Sequence, residues 1–164
     1  AVDANVKVEY TVEKVTTPKA GTAYVFGLTQ KNLGSDLYFA GAMSGNYLAT
    51  TDKISKAATV YLEADGENFR LYFEKDGAKN YVEIYEYTSG KAGIQIVAAP
   101  TMSYTYNAEM GVLIANVAGS DRYLGTYNNF NTISASATSY ITGANAANVG
   151  VTQFPAYLFT ATAK

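Results

Sequence analysis

The sequence predicts an all-β domain, and three observations predict it. Apolar residues recur at every second position in short runs rather than at helical spacing. Gly, Asn, Asp and Ser punctuate those runs where tight turns need them. No stretch carries a sustained amphipathic helical period. At 164 residues and 48 % hydrophobic composition, the chain has the size and apolar content of one folded domain.

The elements follow in order. Val6–Val12 alternates and opens the chain as a strand, and Val15–Ala20, with Pro18, reads as a linker. Residues 1–20 are therefore expected to be an N-terminal strand and linker, and residues 21–164 the all-β domain. Its strands are predicted at Tyr24–Thr29, Leu37–Ala42, Tyr47–Thr50, Thr59–Glu63, Phe69–Phe73 and Tyr81–Tyr87. They continue at Ile94–Ala98, Tyr104–Asn107, Val112–Val117, Tyr123–Tyr127, Thr132–Ser136 and Tyr157–Ala161. Turn signals separate them at Asp65-Gly66, Asp76-Gly77, Ser89-Gly90, Met110-Gly111, Gly119-Ser120 and Thr142-Gly143. Ile54–Ala58 and Ala144–Val149 offer single helical turns and nothing longer.

An internal repeat organises these strands. Leu37-Tyr38-Phe39 precedes Tyr47-Leu48, Leu71-Tyr72-Phe73 precedes Tyr81-Val82, and Leu113-Ile114-Ala115 precedes Tyr123-Leu124. The spacing is the same each time, with Gly in the turn between. Another aromatic stands upstream of each copy: Phe26, Tyr61 and Tyr104. Three units, near 24–51, 59–87 and 104–130, predict about twelve short strands closed as a β-trefoil, with a two-sheet β-sandwich as the alternative. In each Tyr-aliphatic pair one side chain points inward and its neighbour outward. The repeats are similar to ricin-type trefoil repeats but lack the Gln-x-Trp signature, so no sugar-binding residue carries over from them.

The composition excludes several chemistries. The chain has no His, no Cys and no Trp. His- or Cys-based nucleophilic triads, His/Cys zinc sites and disulfides are all ruled out. A formal charge of −2 supplies no basic stripe for nucleic acid, and no apolar run is long enough for a membrane-spanning helix. Glu63, Asp65 and Glu67, like Glu74 and Asp76, flank Gly turns where charges sit solvated, so no glycosidase pair is expected. Asp65-Gly66-Glu67-Asn68 lacks the calcium-loop pattern, and no cofactor is expected.

Several longer strings resemble a recurrent extracellular module of gut Firmicutes surface proteins. They are residues 22–30 (TAYVFGLTQ), residues 37–51 (LYFAGAMSGNYLATT), Val60–Glu63, Tyr123–Tyr127, Thr132–Ser136 and Gln153–Pro155. The chain is also similar to the first domain of a Ruminococcus starch adherence protein of the amylosome. That resemblance implies a secreted or cell-surface location and a non-catalytic module binding starch or maltooligosaccharide. It further implies a place within a larger surface protein, and net charge and composition predict that the domain is monomeric.

A glycan site needs aromatic plates flanked by hydrogen-bonding groups. Tyr127, Asn128, Asn129 and Phe130 gather two aromatics and two amides where a strand meets a turn. Glu83, Tyr85 and Tyr87 share one face of a strand by alternation. These seven residues are the expected ligand-binding set, while Asn46-Tyr47 and Asn80-Tyr81 read first as structural pairs, and Asp121-Arg122 as a surface ion pair. The competing functional reading is a protein-interaction or spacer domain of a cell-surface adhesin, its tyrosines forming a protein interface.

Overall fold

The computed structural model describes residues 9–29, 36–127, 131–142 and 153–163. It is all-β, with three antiparallel sheets and only two short 3-10 turns, at Ile54–Lys56 and Thr138–Tyr140. The first sheet holds β1 (Tyr10–Lys14), β14 (Tyr157–Ala163), β2 (Val25–Leu28), β3 (Leu37–Ser44) and β4 (Tyr47–Thr51), in that spatial order. The second holds β5 (Val60–Asp65), β6 (Asn68–Lys75), β7 (Ala78–Thr88) and β8 (Lys91–Val97). The third runs β12 (Ser134–Ala137), β11 (Ser120–Tyr127), β10 (Val112–Val117) and β9 (Thr105–Asn107), with β13 (Gln153–Pro155) also paired to β11. Among the described residues no helix is long and apolar enough to cross a membrane.

The three sheets are stitched pairwise. Tyr24 and Val60 exchange two backbone hydrogen bonds between the first and second sheets. Phe69 and Tyr104 do the same between the second and third, and Leu48 and Ile133 between the third and first. One apolar core fills the space these seams enclose, drawing Phe26, Leu28, Phe39 and Leu48 from one sheet, Leu62, Leu71, Phe73 and Ile84 from another, and Leu113, Leu124 and Phe154 from the last. Tyr104 lies fully inside it because its hydroxyl donates to the Val82 carbonyl, 2.8 Å away, so the polar atom is not stranded.

Each copy of the sequence repeat forms an antiparallel hairpin, one per sheet. The second pairs Tyr72 with Tyr81 and the third pairs Ile114 with Tyr123, the same register position. The first departs: Tyr38 faces Thr51 across a β-bulge, and Tyr47 faces Ser44. Two turns match what the hairpin twist demands. Asp76-Gly77 and Ala118-Gly119 each place two successive residues at positive φ. In the third copy the turn lies one residue earlier than Gly119-Ser120, and β11 correspondingly begins at Ser120.

The aliphatic member of every Tyr-aliphatic pair enters the core: Leu48, Val82 and Leu124 are buried. The tyrosines turn outward and then differ. Tyr81 is covered by its hydrogen bonds to Glu63, and Tyr123 by a satellite cluster with Val112 and Ile141. Tyr47 remains 45 % exposed.

At the N-terminus, β1 pairs along its length with β14, and Val15 packs on the core. Strand β13 has no counterpart in the expected element order. The expected turn at Ala144–Val149 and residue Gly143 lie outside the described residues.

Candidate binding cleft at the three-sheet seam

The tip of the β3–β4 hairpin, Gly45-Asn46, reaches across the edge strand β8. The Asn46 carbonyl accepts the Ile94 N–H at 3.0 Å, closing an edge that would otherwise be open. Gly93, the neighbouring residue, makes this approach feasible. A Cβ there would lie 3.0 Å from Tyr87 Cδ1, 3.4 Å from Asn46 Cβ and 3.6 Å from Tyr85 Cε1. The missing side chain lets both rings and Asn46 settle over the backbone.

Tyr85 and Tyr87 lie on one face of β7, as alternation predicts, with ring centroids 6.4 Å apart and planes inclined by 60°. They form an angled ledge rather than a flat plate. Tyr87 is 44 % exposed and Tyr85 half-buried.

Glu83 does not join them as a ligand group. It is 1 % exposed. Its carboxylate accepts from the Thr101 N–H at 2.6 Å, the Thr101 hydroxyl at 2.5 Å and the Met102 N–H at 3.1 Å. Those bonds pin the crossover after β8, which folds over this end of the strand face. The role expected for Glu83 is therefore corrected: it is a structural anchor. Tyr127 closes β11 opposite Gln153; its side chain, with Asn128, Asn129 and Phe130, lies outside the described residues.

Beside the ledge opens a cleft of about 200 Å³, lined by Tyr47, Ala92, Arg122, Ser134, Ser136 and Tyr140 among others. Strands from all three sheets build its wall, just beside the Leu48–Ile133 seam. Its chemistry is hydroxyls, two tyrosine rings and one guanidinium. Among the described residues that line it, none is a carboxylate. Ser134 donates to the Gly125 carbonyl at 2.9 Å, which fixes its oxygen in place.

Arg122 and Tyr47 are the residues that sequence reasoning undervalued. Arg122 does not pair with Asp121, which instead accepts from Asn116 Nδ2 at 3.0 Å. Arg122 Nη2 donates to the Gly90 carbonyl at 3.3 Å, while its Nε is buried without a partner. Strand alternation carries the signal that would have found this: neighbours on β11 point to opposite faces. Tyr123, on the opposite face, has its hydroxyl pKa raised chiefly by burial.

A second cavity, about 310 Å³, is bordered by Asp65, Arg70 and Pro100–Ser103. Here the cation is already neutralised. Glu63 accepts from Arg70 and from Lys79, each at 3.0 Å, and from the Tyr81 hydroxyl at 3.0 Å. The Lys79 and Arg70 hydrogen bonds hold its pKa down at about 2, against an ordinary value of 4.5. Glu63 is thus a bonded hub of the outer sheet face, not the solvated turn charge that its position beside Gly66 suggests. The lysine also lies 4.7 Å from the centre of the Tyr72 ring, which stacks on Tyr61.

Comparison of the chain with models of protein families, with curated proteins and with solved structures found no match.

Proposed function

We propose that this domain is a non-catalytic carbohydrate-binding module of an exported bacterial protein, with a starch-type α-glucan as the polymer it holds. The observation that carries the reading is the placement of Tyr47 and Tyr87. Among the described residues these are the most exposed aromatic side chains, and both flank the Asn46–Gly93 contact. Two tyrosine faces beside a hydroxyl-lined cleft suit the C–H face and the hydroxyls of a pyranose. Of the three tyrosines at the same place in the repeat, the structure covers two and leaves uncovered the one at this cleft. A lining without carboxylates supports binding without cleavage, which needs an acid and a base or nucleophile.

An extracellular location belongs to the same proposal and draws on the resemblance of residues 37–51 and 123–127 to the Firmicutes surface module. So does trefoil-like closure of the three sheets, supported by the three reciprocal seams and by the shared register of the second and third hairpins.

The test is retention on granular starch and calorimetric titration with maltoheptaose, for the native chain and for Tyr47→Ala and Tyr87→Ala. Binding is expected in the micromolar to millimolar range, about 4–8 kcal/mol. Each variant should weaken it about tenfold, the effect of losing a buried aromatic contact. Absence of heat together with absence of retention by the native chain overturns the proposal.

A further inference from the structure

We infer that the cleft accepts an anionic group on a sugar ring, a carboxylate or a phosphate monoester, with Arg122 as the group that grips it. The inference rests on the carbohydrate-binding reading of the same cleft and specifies which sugars it prefers. It starts from a contrast between the chain's two arginines. Arg70 lies 3.0 Å from Glu63 and 3.6 Å from Asp65, so its charge is met within the fold. Among the described residues no carboxylate pairs with Arg122. Asp121 is turned to Asn116, and Glu86 accepts the Gly90 N–H at 3.3 Å instead. Among the described residues, what the fold gives Arg122 is one neutral carbonyl, that of Gly90.

A guanidinium carries five N–H donors in a rigid fork. Arg122 lines a polar cleft while its Nε is buried without a partner, so desolvation of that N–H is uncompensated. The Gly90 contact anchors the side chain from the β7–β8 turn, so the fork is held in place before a ligand arrives. Two oxygens of a carboxylate or phosphate match such a fork and supply the missing countercharge. A sugar hydroxyl supplies an acceptor but no charge. The volume, about 200 Å³, is below that of sites for drug-sized ligands and suits one ring with its substituent. Tyr47 would then lie against the ring, and Ser134 and Ser136 against its hydroxyls.

The test uses the intact chain labelled with 15N, following the Arg122 Nε–H signal during titration with glucuronate, glucose 6-phosphate, glucose and inorganic phosphate. The inference expects the two acidic sugars to move that signal and to bind at least about tenfold more tightly than glucose, the worth of one charge-assisted bond. Raising the salt concentration should narrow the gap. Whichever acidic sugar binds better identifies carboxylate or phosphate as the fitting group. In Arg122→Gln the preference for acidic over neutral sugar is expected to vanish. The native-chain comparison needs no variant, so a misfolded substitution leaves the test intact. Equal affinity for glucose and both acidic sugars overturns the inference and leaves the carbohydrate reading standing. Response to inorganic phosphate alone, with no response to any sugar, overturns the inference, while the carbohydrate reading stands or falls on the maltoheptaose titration.

Discussion

Replacing Glu83 tests whether a buried carboxylate holds the crossover between the second and third sheets. Its oxygens accept two backbone N–H groups and one hydroxyl from Thr101 and Met102. A hydrogen bond to a charged group contributes about 1.5–3 kcal/mol, and a neutral one about 0.5–1.5 kcal/mol. Glu83→Gln keeps an acceptor for the N–H groups and lets the Thr101 hydroxyl turn to accept, but removes the charge. It should cost about 1–3 kcal/mol. Glu83→Ala removes every acceptor. Because Thr101 is exposed and its freed donors reach water, the cost should stop near 3–5 kcal/mol rather than the full sum of three bonds. For a domain of this length, each kcal/mol shifts Tm by about 2–4 °C, so the alanine variant should melt roughly 10 °C lower. Urea unfolding followed by tyrosine fluorescence measures this directly, since the chain has no Trp. If both variants unfold within about 0.5 kcal/mol of the native chain, the anchoring argument is wrong.

Other expectations follow from single contacts. The Glu63 carboxyl should titrate near pH 2 by NMR, and Lys79→Met should move that midpoint upward. Because its folded pKa lies below its unfolded one, the network's stabilisation is present above about pH 4.5 and is lost as pH falls toward 2. Acid unfolding of Glu63→Gln should therefore show a weaker pH dependence across that window. In Gly93→Ala the new methyl meets the Tyr87 ring at 3.0 Å. Starch retention should drop several-fold while stability falls by only about 1 kcal/mol; unchanged retention would detach the tyrosine ledge from binding. In Gly125→Ala the methyl lies 2.6 Å from the Phe154 carbonyl oxygen and 2.5 Å from the Tyr123 ring. The β11–β13 pairing should loosen, with faster hydrogen exchange at the Ala156 N–H and a loss of about 1–3 kcal/mol.

Much of the strand order was legible because one face of nearly every strand meets the core. Alternation at Leu71-Tyr72-Phe73 and at Tyr123-Leu124 sends neighbours to opposite faces, and the structure puts Leu71, Phe73 and Leu124 in the central core and the two tyrosines outside it. Strand β13 was not legible, since Gln153-Phe154-Pro155 is too short to alternate and contains a proline. The site was harder to read because exposure depends on what covers a face, and the cover comes from distant segments. Tyr47, Tyr81 and Tyr123 read alike in sequence; Lys79 and Glu63 brace one, and Ile141 packs against another. Glu83 was assigned to the correct face, yet residues 18 and 19 positions onward close over it. Arg122 was missed for a local reason. Starting the strand at Tyr123 left Arg122 in a turn, where an ion pair with Asp121 looks natural. Starting it at Ser120 separates the two side chains.

The pairing of β1 with β14 has a mechanical consequence. Tyr10 faces Ala163 and Lys14 faces Phe159, so the chain enters and leaves this pair at the same end. Tension drawing those two ends apart loads the backbone bonds one after another, as in peeling, rather than all at once as in shear. Under such a pull β1 would part from its neighbour at low force, and the load would then pass along the chain to Gly21 and Tyr24, where their backbone bonds to Leu62 and Val60 take it up.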